Sequence, residues 1–280
     1  MHRSFLHTCC LYAAVLLIAV VTLAPLAWLV IMSVMSPREL LAVPLNWLPE
    51  HWDWSRYAQL LGMNGDIADN LFLHALRNSL IAASGSAFIA LLTGIPAAYA
   101  FSRRNGPRAI LFLMLATFMM PPITYILPLY TMFSGLGMLN SPFTLIAVYC
   151  TMVLPFATWL MKSNLDVLPV EVEHAAVVEG AGTLRTLWSV VLPMAKPALV
   201  ATAMLSFLLA WDEFFYSLIL NSDLRGKTLP VAIADFAAGR VTDYGLIAAV
   251  GVLASLPPTL LAVFFQKHLV HGLAAGGVKG

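Results

Sequence analysis

Long runs of uncharged residues constrain this chain more than any other feature of its sequence. Residues 109–161 form 53 consecutive positions without Asp, Glu, Lys or Arg. The chain as a whole is 60% hydrophobic and 10% charged, whereas soluble domains carry about 25% charged residues. A helix needs only about 20 apolar residues to cross a bilayer, and turn-forming residues at 134–142 divide the long run. The sequence therefore predicts an all-α protein that crosses a membrane several times.

Six segments have the length and composition of membrane spans. The first begins like a signal peptide, but its 23 uncharged residues exceed a typical signal core and lack an A-x-A cleavage site, so we predict an uncleaved span. The predicted spans cover residues 9–31, 78–102, 109–133, 142–161, 197–220 and 244–266. We predict one transmembrane domain over residues 1–280, with residues 162–196 as a charged loop within it.

The positions of Lys and Arg predict the orientation of these spans. With the N-terminus in the cytoplasm, nine of the 15 basic residues lie in inner segments, and Arg103, Arg104 and Arg108 share one short inner loop. Cytoplasmic loops are enriched in positive charge. We therefore expect both termini and the charged loop in the cytoplasm.

Motifs of several enzyme classes are absent from the sequence. It has no G-x-x-x-x-G-K-[ST] loop for ATP, no H-E-x-x-H zinc pair and no G-x-S-x-G elbow around Ser84. Cys9, Cys10 and Cys150 lie in or beside apolar runs without the paired spacing of disulfide or zinc sites. A net charge of +1 without a basic patch gives no indication of nucleic-acid binding. We expect no catalytic activity, no cofactor and no metal in this chain.

The charged loop contains one compact segment that differs from its apolar surroundings. Glu171 and Glu173 follow a proline, and acidic residues at a helix start complement the helix dipole. Ala175 and Ala176 leave a helix face with almost no bulk, which another protein can approach closely. Gly180 and Gly182 are then expected to end or bend the helix. Composition alone is equally compatible with a linker that lies on the membrane surface.

This segment resembles the EAA loop of the membrane subunits of binding-protein-dependent ABC importers. In that family an E-A-A triplet is followed, after three intervening residues, by Gly and, after nine more intervening residues, by a hydrophobic-x-L-P ending. The matching positions here are Ala175, Ala176, Gly180, Val190, Leu192 and Pro193. His174 occupies the position of the triplet's Glu, with Glu173 directly before it, and Glu179 replaces the commoner Asp before the glycine.

Other segments are similar to the carbohydrate subgroup of that family, which includes the smaller maltose permease. They are residues 78–104, which open with Asn-Ser and close with A-Y-A-x-x-R, residues 119–130, residues 205–220 and the tail G-L-A-A-G-G-V-K-G at 272–280. The resemblance covers roughly residues 10–280. It implies the six-span fold of type I ABC importer permeases in a bacterial inner membrane.

The resemblance also implies partners and a substrate class. The partners would be a second permease subunit in a heterodimer, two copies of a cytoplasmic ABC ATPase that bind ATP and Mg²⁺, and an extracytoplasmic sugar-binding protein. The solute would be a sugar, such as a trehalose- or maltose-like oligosaccharide or a polyol. The EAA helix would couple the ATPase to the spans, through Glu173, His174, Ala175, Ala176, Glu179, Gly180, Leu192 and Pro193.

A second candidate site lies in the fifth predicted span. Asp212 follows Pro197 by 15 residues, or about 22 Å of helix rise, which places it in the outer leaflet of a core about 30 Å thick. Carboxylates inside a membrane indicate function by default. We therefore expect Trp211, Asp212, Glu213 and Tyr216 to line the translocation path, and the alternative is a carboxylate pair that reaches the outer interface.

Prolines in the third, fourth and sixth predicted spans indicate where a path would run. Each frees backbone carbonyls that neighbouring helices or a wet cavity must satisfy. The residues are Pro121, Pro122, Pro128, Pro155, Pro257 and Pro258. Together they favour a path between spans three, four, five and six, although any single proline is equally compatible with a packing kink.

Two other functions remain open at this point. A proton-coupled secondary transporter would use Asp212 and Glu213 as a proton relay, and an ABC importer would also fit a non-sugar solute. The long charged loop and the lack of a visible internal repeat disfavour the first. The near absence of basic residues along the spans disfavours an anionic solute.

Overall fold

The structure, a computed structural model, describes residues 5–63, 70–104, 106–223, 226–238 and 243–277. These ranges contain helices and turns but no β-strand, so the predicted all-α class is confirmed. Both chain ends, which we predict to be cytoplasmic, lie outside the described residues. At the C-terminal end this includes the last three residues of the predicted tail signature.

The described helices are numbered in chain order. The first seven are α1 (Phe5–Val34), α2 (Pro37–Leu40), α3 (Ser55–Leu60), α4 (Leu71–Arg103), α5 (Arg108–Met119), α6 (Ile126–Gly135) and α7 (Pro142–Leu165). The next seven are α8 (Glu171–Val178), α9 (Thr183–Thr186), α10 (Leu192–Met194), α11 (Lys196–Trp211), α12 (Phe215–Leu220), α13 (Leu229–Ala237) and α14 (Tyr244–Gly277). A π-helical turn, Leu187–Val191, joins α9 to α10.

Within the described residues, four helices are long and apolar enough to cross a membrane. They cover Thr8–Val34, Leu71–Arg103, Pro142–Leu165 and Tyr244–Lys267, and they confirm four of the predicted spans. A fifth crossing arises only if a bent helix pair counts as one span. The predicted total of six spans stays a prediction.

The third predicted span is not one continuous helix. Helix α5 ends at Met119, and α6 begins at Ile126. The backbone of Met120 and Pro121 is extended, with ψ angles of 130° and 129°. Each of these residues precedes a proline, whose ring disfavours the helical conformation of the residue before it. Pro121 and Pro122 therefore divide the segment into two shorter apolar helices.

The fifth predicted span is also divided. Helix α11 ends at Trp211 and α12 begins at Phe215, so Asp212 and Glu213 lie in a break between helices and not inside one continuous span. At its other end, α11 meets the preceding segment Thr183–Met194 at an angle of 85°.

The described chain groups into two compact units. One comprises the chain up to Leu73 together with Ala232–Leu256, and the other comprises His74–Val231 together with the chain from Pro257. In the first unit, Arg56 is buried and pairs with Asp243, with Nη2 3.1 Å from Oδ1. Its Nη1 donates to the carbonyl of Met35 at 2.6 Å, so one side chain joins the end of α1 to the start of α14.

In the second unit, small residues bring α4 and α7 close together. A Cβ added to Gly85 would lie 2.6 Å from Cδ1 of Ile146, and one added to Gly94 would lie 2.9 Å from Oγ1 of Thr158. Small residues allow membrane helices to pack closely. This pair of helices supports the charged loop, because the loop follows directly from the end of α7.

Candidate functional site

Helix α8 ends at Val178, two residues before the glycine of the EAA-like segment. Gly180 has a φ of +86°, in the left-handed region that favours glycine. The N–H groups of Gly180 and Ala181 donate to the carbonyls of Val177 and Ala176, each at 2.9 Å. These two bonds form a Schellman ending. The predicted helix end at Gly180 is therefore confirmed.

Most of the predicted contact residues in the loop are accessible. His174, Ala175, Glu179, Gly180 and Pro193 are exposed, Ala176 and Leu192 are partly buried, and Glu173 is buried. No described atom lies within 4 Å of a Cβ added to Gly180. The space beyond this turn is open within the described chain.

Apolar side chains extend this accessible surface beyond α8. Val178 is 88% exposed, Leu184 68% and Trp188 47%. We call the surface formed by His174, Ala175, Val178, Gly180, Leu184 and Trp188 the loop face. Exposed apolar side chains next to one another indicate an interaction surface. The loop face therefore combines small residues with apolar ones, as a contact with another protein requires.

Glu173 points away from this surface. Its carboxylate accepts a hydrogen bond from Nε of Arg103 at 2.7 Å and one from the hydroxyl of Tyr99 at 2.9 Å. The two side chains of the ion pair are only 12% and 9% exposed. Glu173 thus holds α8 to α4, whereas the sequence led us to expect it at an intersubunit contact.

Arg103 joins three helices at this point. Besides Glu173, its Nη2 donates to the carbonyls of Leu165 and Leu168 at 2.9 and 3.0 Å. These carbonyls belong to the end of α7 and the turn after it. The last carbonyls of a helix have no N–H donor within the helix itself. The guanidinium therefore fixes α8 relative to both α4 and α7.

An apolar cluster lies beneath the charged contacts. It contains Tyr99 from α4, Met161 and Leu165 from α7, and Leu187 and Val191 from the π-helical turn. Leu192 packs against this cluster, so the leucine of the L-P ending supports the loop from inside. The loop is consequently a packed structure and not a linker lying free on a surface.

The break after α11 is stabilised by Glu213. Its two carboxylate oxygens accept from the backbone N–H groups of Tyr216 at 2.8 Å and Ser217 at 3.3 Å. A carboxylate at this position satisfies N–H groups that have no partner within the helix and complements its dipole. Glu213 therefore caps the start of α12.

The other three predicted path residues differ in their exposure. Trp211 is buried and stacks on Phe207 with ring centroids 5.4 Å apart. Tyr216 is also buried, and its hydroxyl lies 2.5 Å from that of Tyr125. Asp212 is exposed. Of these three, Asp212 is the one with an exposed side chain.

An open groove lies beside the break. It has a volume of about 610 Å³ and is lined by Asp212, Glu213 and Phe214 together with apolar residues of α7 and α11, including Phe156 and Leu208. Asp212 and Glu213 are the two charged residues of this lining, and its other residues are apolar. Within the described residues, no group of three His, Cys, Asp or Glu side chains has the geometry to hold a metal.

Sequence reasoning missed the residues that hold the loop in place. Tyr99 and Arg103 both belong to the A-Y-A-x-x-R ending of the second span, which we used as a family signature without a role. They are four residues apart and therefore lie on one helix face. That spacing was the available signal, but it did not identify Glu173 as the shared partner.

Comparisons with known proteins agree with this architecture. The sequence model of the family described as "Binding-protein-dependent transport system inner membrane component" matches residues 88–274. The sulfoquinovosyl glycerol transport system permease protein of Agrobacterium fabrum (strain C58) is 34% identical over 92% of this chain and 89% of its own length. The trehalose/maltose transport system permease protein of Thermococcus litoralis is 31% identical over the full length of both chains.

A solved structure shows the same fold. A chain from the crystal structure of a bacterial ABC transporter involved in the import of the acidic polysaccharide alginate superposes with a TM-score of 0.74. The match covers 95% of this chain and 98% of that one at 23% identity. The fold is therefore that of an ABC importer permease. This chain belongs to the family of inner-membrane components of binding-protein-dependent transport systems.

Proposed function

We propose that this chain is the permease subunit of an ATP-driven importer of a carbohydrate and forms half of its translocation path. The observation that carries the proposal is the loop face, whose exposed residues are mostly small or apolar. Its helix is held to two spans by the ion pair between Glu173 and Arg103. A surface that transmits movement must be both accessible to its partner and rigidly joined to what it moves.

The loop face is the proposed contact with a cytoplasmic ABC ATPase. His174, Ala175 and Gly180 of the loop face, and Glu179 beside it, would touch the ATPase directly. Glu173 and Leu192 would instead hold the loop in position from inside. ATP and Mg²⁺ would be bound by two copies of that ATPase, because this sequence has no phosphate-binding loop. The loop 162–196 and both chain ends would then lie in the cytoplasm.

The remaining proposed partners are a second permease subunit and an extracytoplasmic sugar-binding protein. The two relatives compared above are named for the transport of glycosides, which supports a sugar as the solute. We propose a trehalose- or maltose-like oligosaccharide or a polyol. Asp212, at the open groove, would accept hydrogen bonds from the hydroxyl groups of the sugar. Trp211 and Tyr216 would border the path in another conformation.

Two measurements test this proposal. Purification of the tagged full-length chain from its own host should recover an ATPase subunit with a phosphate-binding loop. Deletion of the chain should abolish uptake of at least one sugar in a panel of labelled mono- and oligosaccharides, and re-expression should restore it. Purification without any ATPase, or unchanged uptake of every sugar in the panel, would contradict the proposal.

A further inference from the structure

A polar pocket lies where three helices of the second unit reach the boundary of the apolar region. Its volume is about 380 Å³. It is lined by the last turn of α4, the first turn of α5 and the last turn of α7, through Phe101, Ser102, Arg108, Leu111, Lys162 and Asp166. Two candidate spans end here, and spans that cross a bilayer would place the pocket at the depth of lipid headgroups.

The charges in this pocket are not balanced. Lys162 pairs with Asp166, with Nζ 2.5 Å from Oδ2, and the Ser102 hydroxyl donates to the other carboxylate oxygen at 2.6 Å. Asp166 is thereby compensated. The guanidinium of Arg108 makes no hydrogen bond or ion pair with any residue that the structure describes. The pocket therefore keeps a net charge of +1.

Arg108 is in an unfavourable position for a cation. It is the first residue of α5, where the helix dipole favours negative charge. No described side chain supplies that negative charge to it. An anion from outside the chain would satisfy the guanidinium.

The surface next to the pocket indicates what kind of anion would bind. Within the pocket, Phe101 and Leu111 supply apolar walls. Four and five residues after Arg108 on α5, Phe112 is 68% exposed and Leu113 66% exposed. The order from the boundary into the span is thus cation, then exposed apolar surface. A phospholipid has the complementary order, with a phosphate followed by acyl chains, whereas free phosphate would use only the polar half.

We propose that this pocket binds the headgroup of an anionic phospholipid, with Arg108 as the main contact to the phosphate and Lys162 at its edge. Basic pockets between membrane helices bind anionic headgroups in this way.

Lipid titration of the purified full-length chain tests the site. The protein, with any subunits that accompany it, is delipidated in detergent and titrated with dioleoyl phosphatidylglycerol or dioleoyl phosphatidylcholine, and bound lipid is counted by native mass spectrometry. We expect phosphatidylglycerol to bind more tightly than phosphatidylcholine. Arg108→Gln should weaken phosphatidylglycerol binding about five-fold, equivalent to ~1 kcal/mol per basic residue near an anionic headgroup.

Controls separate the site from general charge effects. Arg38→Gln removes an exposed arginine from α2, outside the pocket, and should leave lipid binding unchanged. Arg108→Lys keeps the charge and should keep most of the preference. Circular dichroism should show native helix content for all variants, because Arg108 has no partner among the described residues.

Three results would overturn the proposal. The first is equal binding of phosphatidylglycerol and phosphatidylcholine, and the second is unchanged lipid binding by Arg108→Gln. The third is complete displacement of phosphatidylglycerol by millimolar inorganic phosphate, which would assign the pocket to a free anion. Loss of an accompanying protein subunit from Arg108→Gln with intact lipid binding belongs to the second result and would assign Arg108 to a protein contact.

Discussion

Nε of Arg103 lies 2.7 Å from Oε1 of Glu173, and this buried ion pair joins residues 70 positions apart in the chain. It connects the last turn of α4 to the helix that begins the loop face. A ligand or partner shifts a conformational equilibrium only through contacts that differ between the two states. The proposed coupling therefore needs a loop that moves together with the spans, and this ion pair supplies that connection.

Breaking the pair from one side should destabilise the protein more than removing both charges. Arg103→Gln or Glu173→Gln leaves one buried charge without its partner, which costs about 3–5 kcal/mol. The double variant should cost less than the sum of the single ones, because the two residues interact directly. Thermal unfolding in detergent measures the difference, and strictly additive effects would show that the contact has little energetic weight.

The same pair should matter for coupling as well as for stability. In a complex reconstituted with its ATPase, we expect Arg103→Gln to reduce the number of solute molecules transported per ATP hydrolysed. A purely structural role would lower transport and hydrolysis in the same proportion. Tyr99→Phe keeps the ring but removes a hydrogen bond to the same carboxylate, so it should show a smaller effect in the same direction.

Gly180 allows the backbone requirement to be separated from the requirement for space. Asn adopts left-handed backbone conformations more readily than other non-glycine residues, and no described atom would obstruct a side chain there. Gly180→Asn should therefore insert and fold normally but bind the ATPase more weakly. Gly180→Trp should abolish retention of the ATPase in a pull-down.

Gly182 provides the matched control for this series. Its φ is −73°, a value open to any residue, and its Cβ would also meet open space. Gly182→Ala should retain the ATPase and support uptake. Normal pull-down and uptake by Gly180→Trp would rule out close contact at this turn.

The sequence was informative about local features of the site and less so about contacts between distant segments. The end of α8 at Gly180 was predicted because a glycine after a short helix is a local signal. The inward direction of the Glu173 side chain was not predicted, because it depends on how α4, α7 and α8 pack. Adjacent helical residues point about 100° apart, so Glu173 and His174 cannot both lie on the same surface.

The two divided spans show the same limit. The break after Met119 follows from Pro121 and Pro122, whose effect on the backbone is visible in any sequence. No proline or glycine accompanies the break after Trp211. There the backbone N–H groups of α12 are satisfied by Glu213, and only the folded geometry reveals that contact.

Asp212 and Glu213 should give opposite results when each is replaced. Glu213→Ala removes the acceptor for two backbone N–H groups at the start of α12 and should lower stability by about 0.5–2 kcal/mol, whereas Glu213→Gln keeps one acceptor and should cost less. Asp212→Ala should leave stability unchanged and raise the apparent KM for sugar uptake. Unchanged uptake kinetics for Asp212→Ala would remove it from the proposed path.

Glu39 should make the segment after α1 sensitive to acid. The Ser36 side chain, followed by the backbone N–H groups of Ser36 and Glu50, lowers the pKa of Glu39 to about 2 from its usual 4.5. Because the folded-state pKa is lowered, the stabilisation is complete above pH 4.5 and is lost as the pH falls toward 2. Thermal unfolding of the wild type and Glu39→Gln should therefore converge across that range. A constant difference would contradict the assignment.

Gly245 should be irreplaceable because of the side chain packed against it. A Cβ at this position would lie 2.3 Å from Cζ of Arg56. The guanidinium cannot move away freely, since it pairs with Asp243 and donates to the carbonyl of Met35. Gly245→Ala should lower the unfolding temperature, and adding Arg56→Ala should cost less in that background than in the wild type.

Gly251→Ala is the control on the same helix, because its Cβ would meet only Leu29 at an ordinary 3.5 Å. That variant should be neutral or stabilising by up to about 1 kcal/mol. Equal effects at the two glycines would show that Arg56 is not held in place by its contacts.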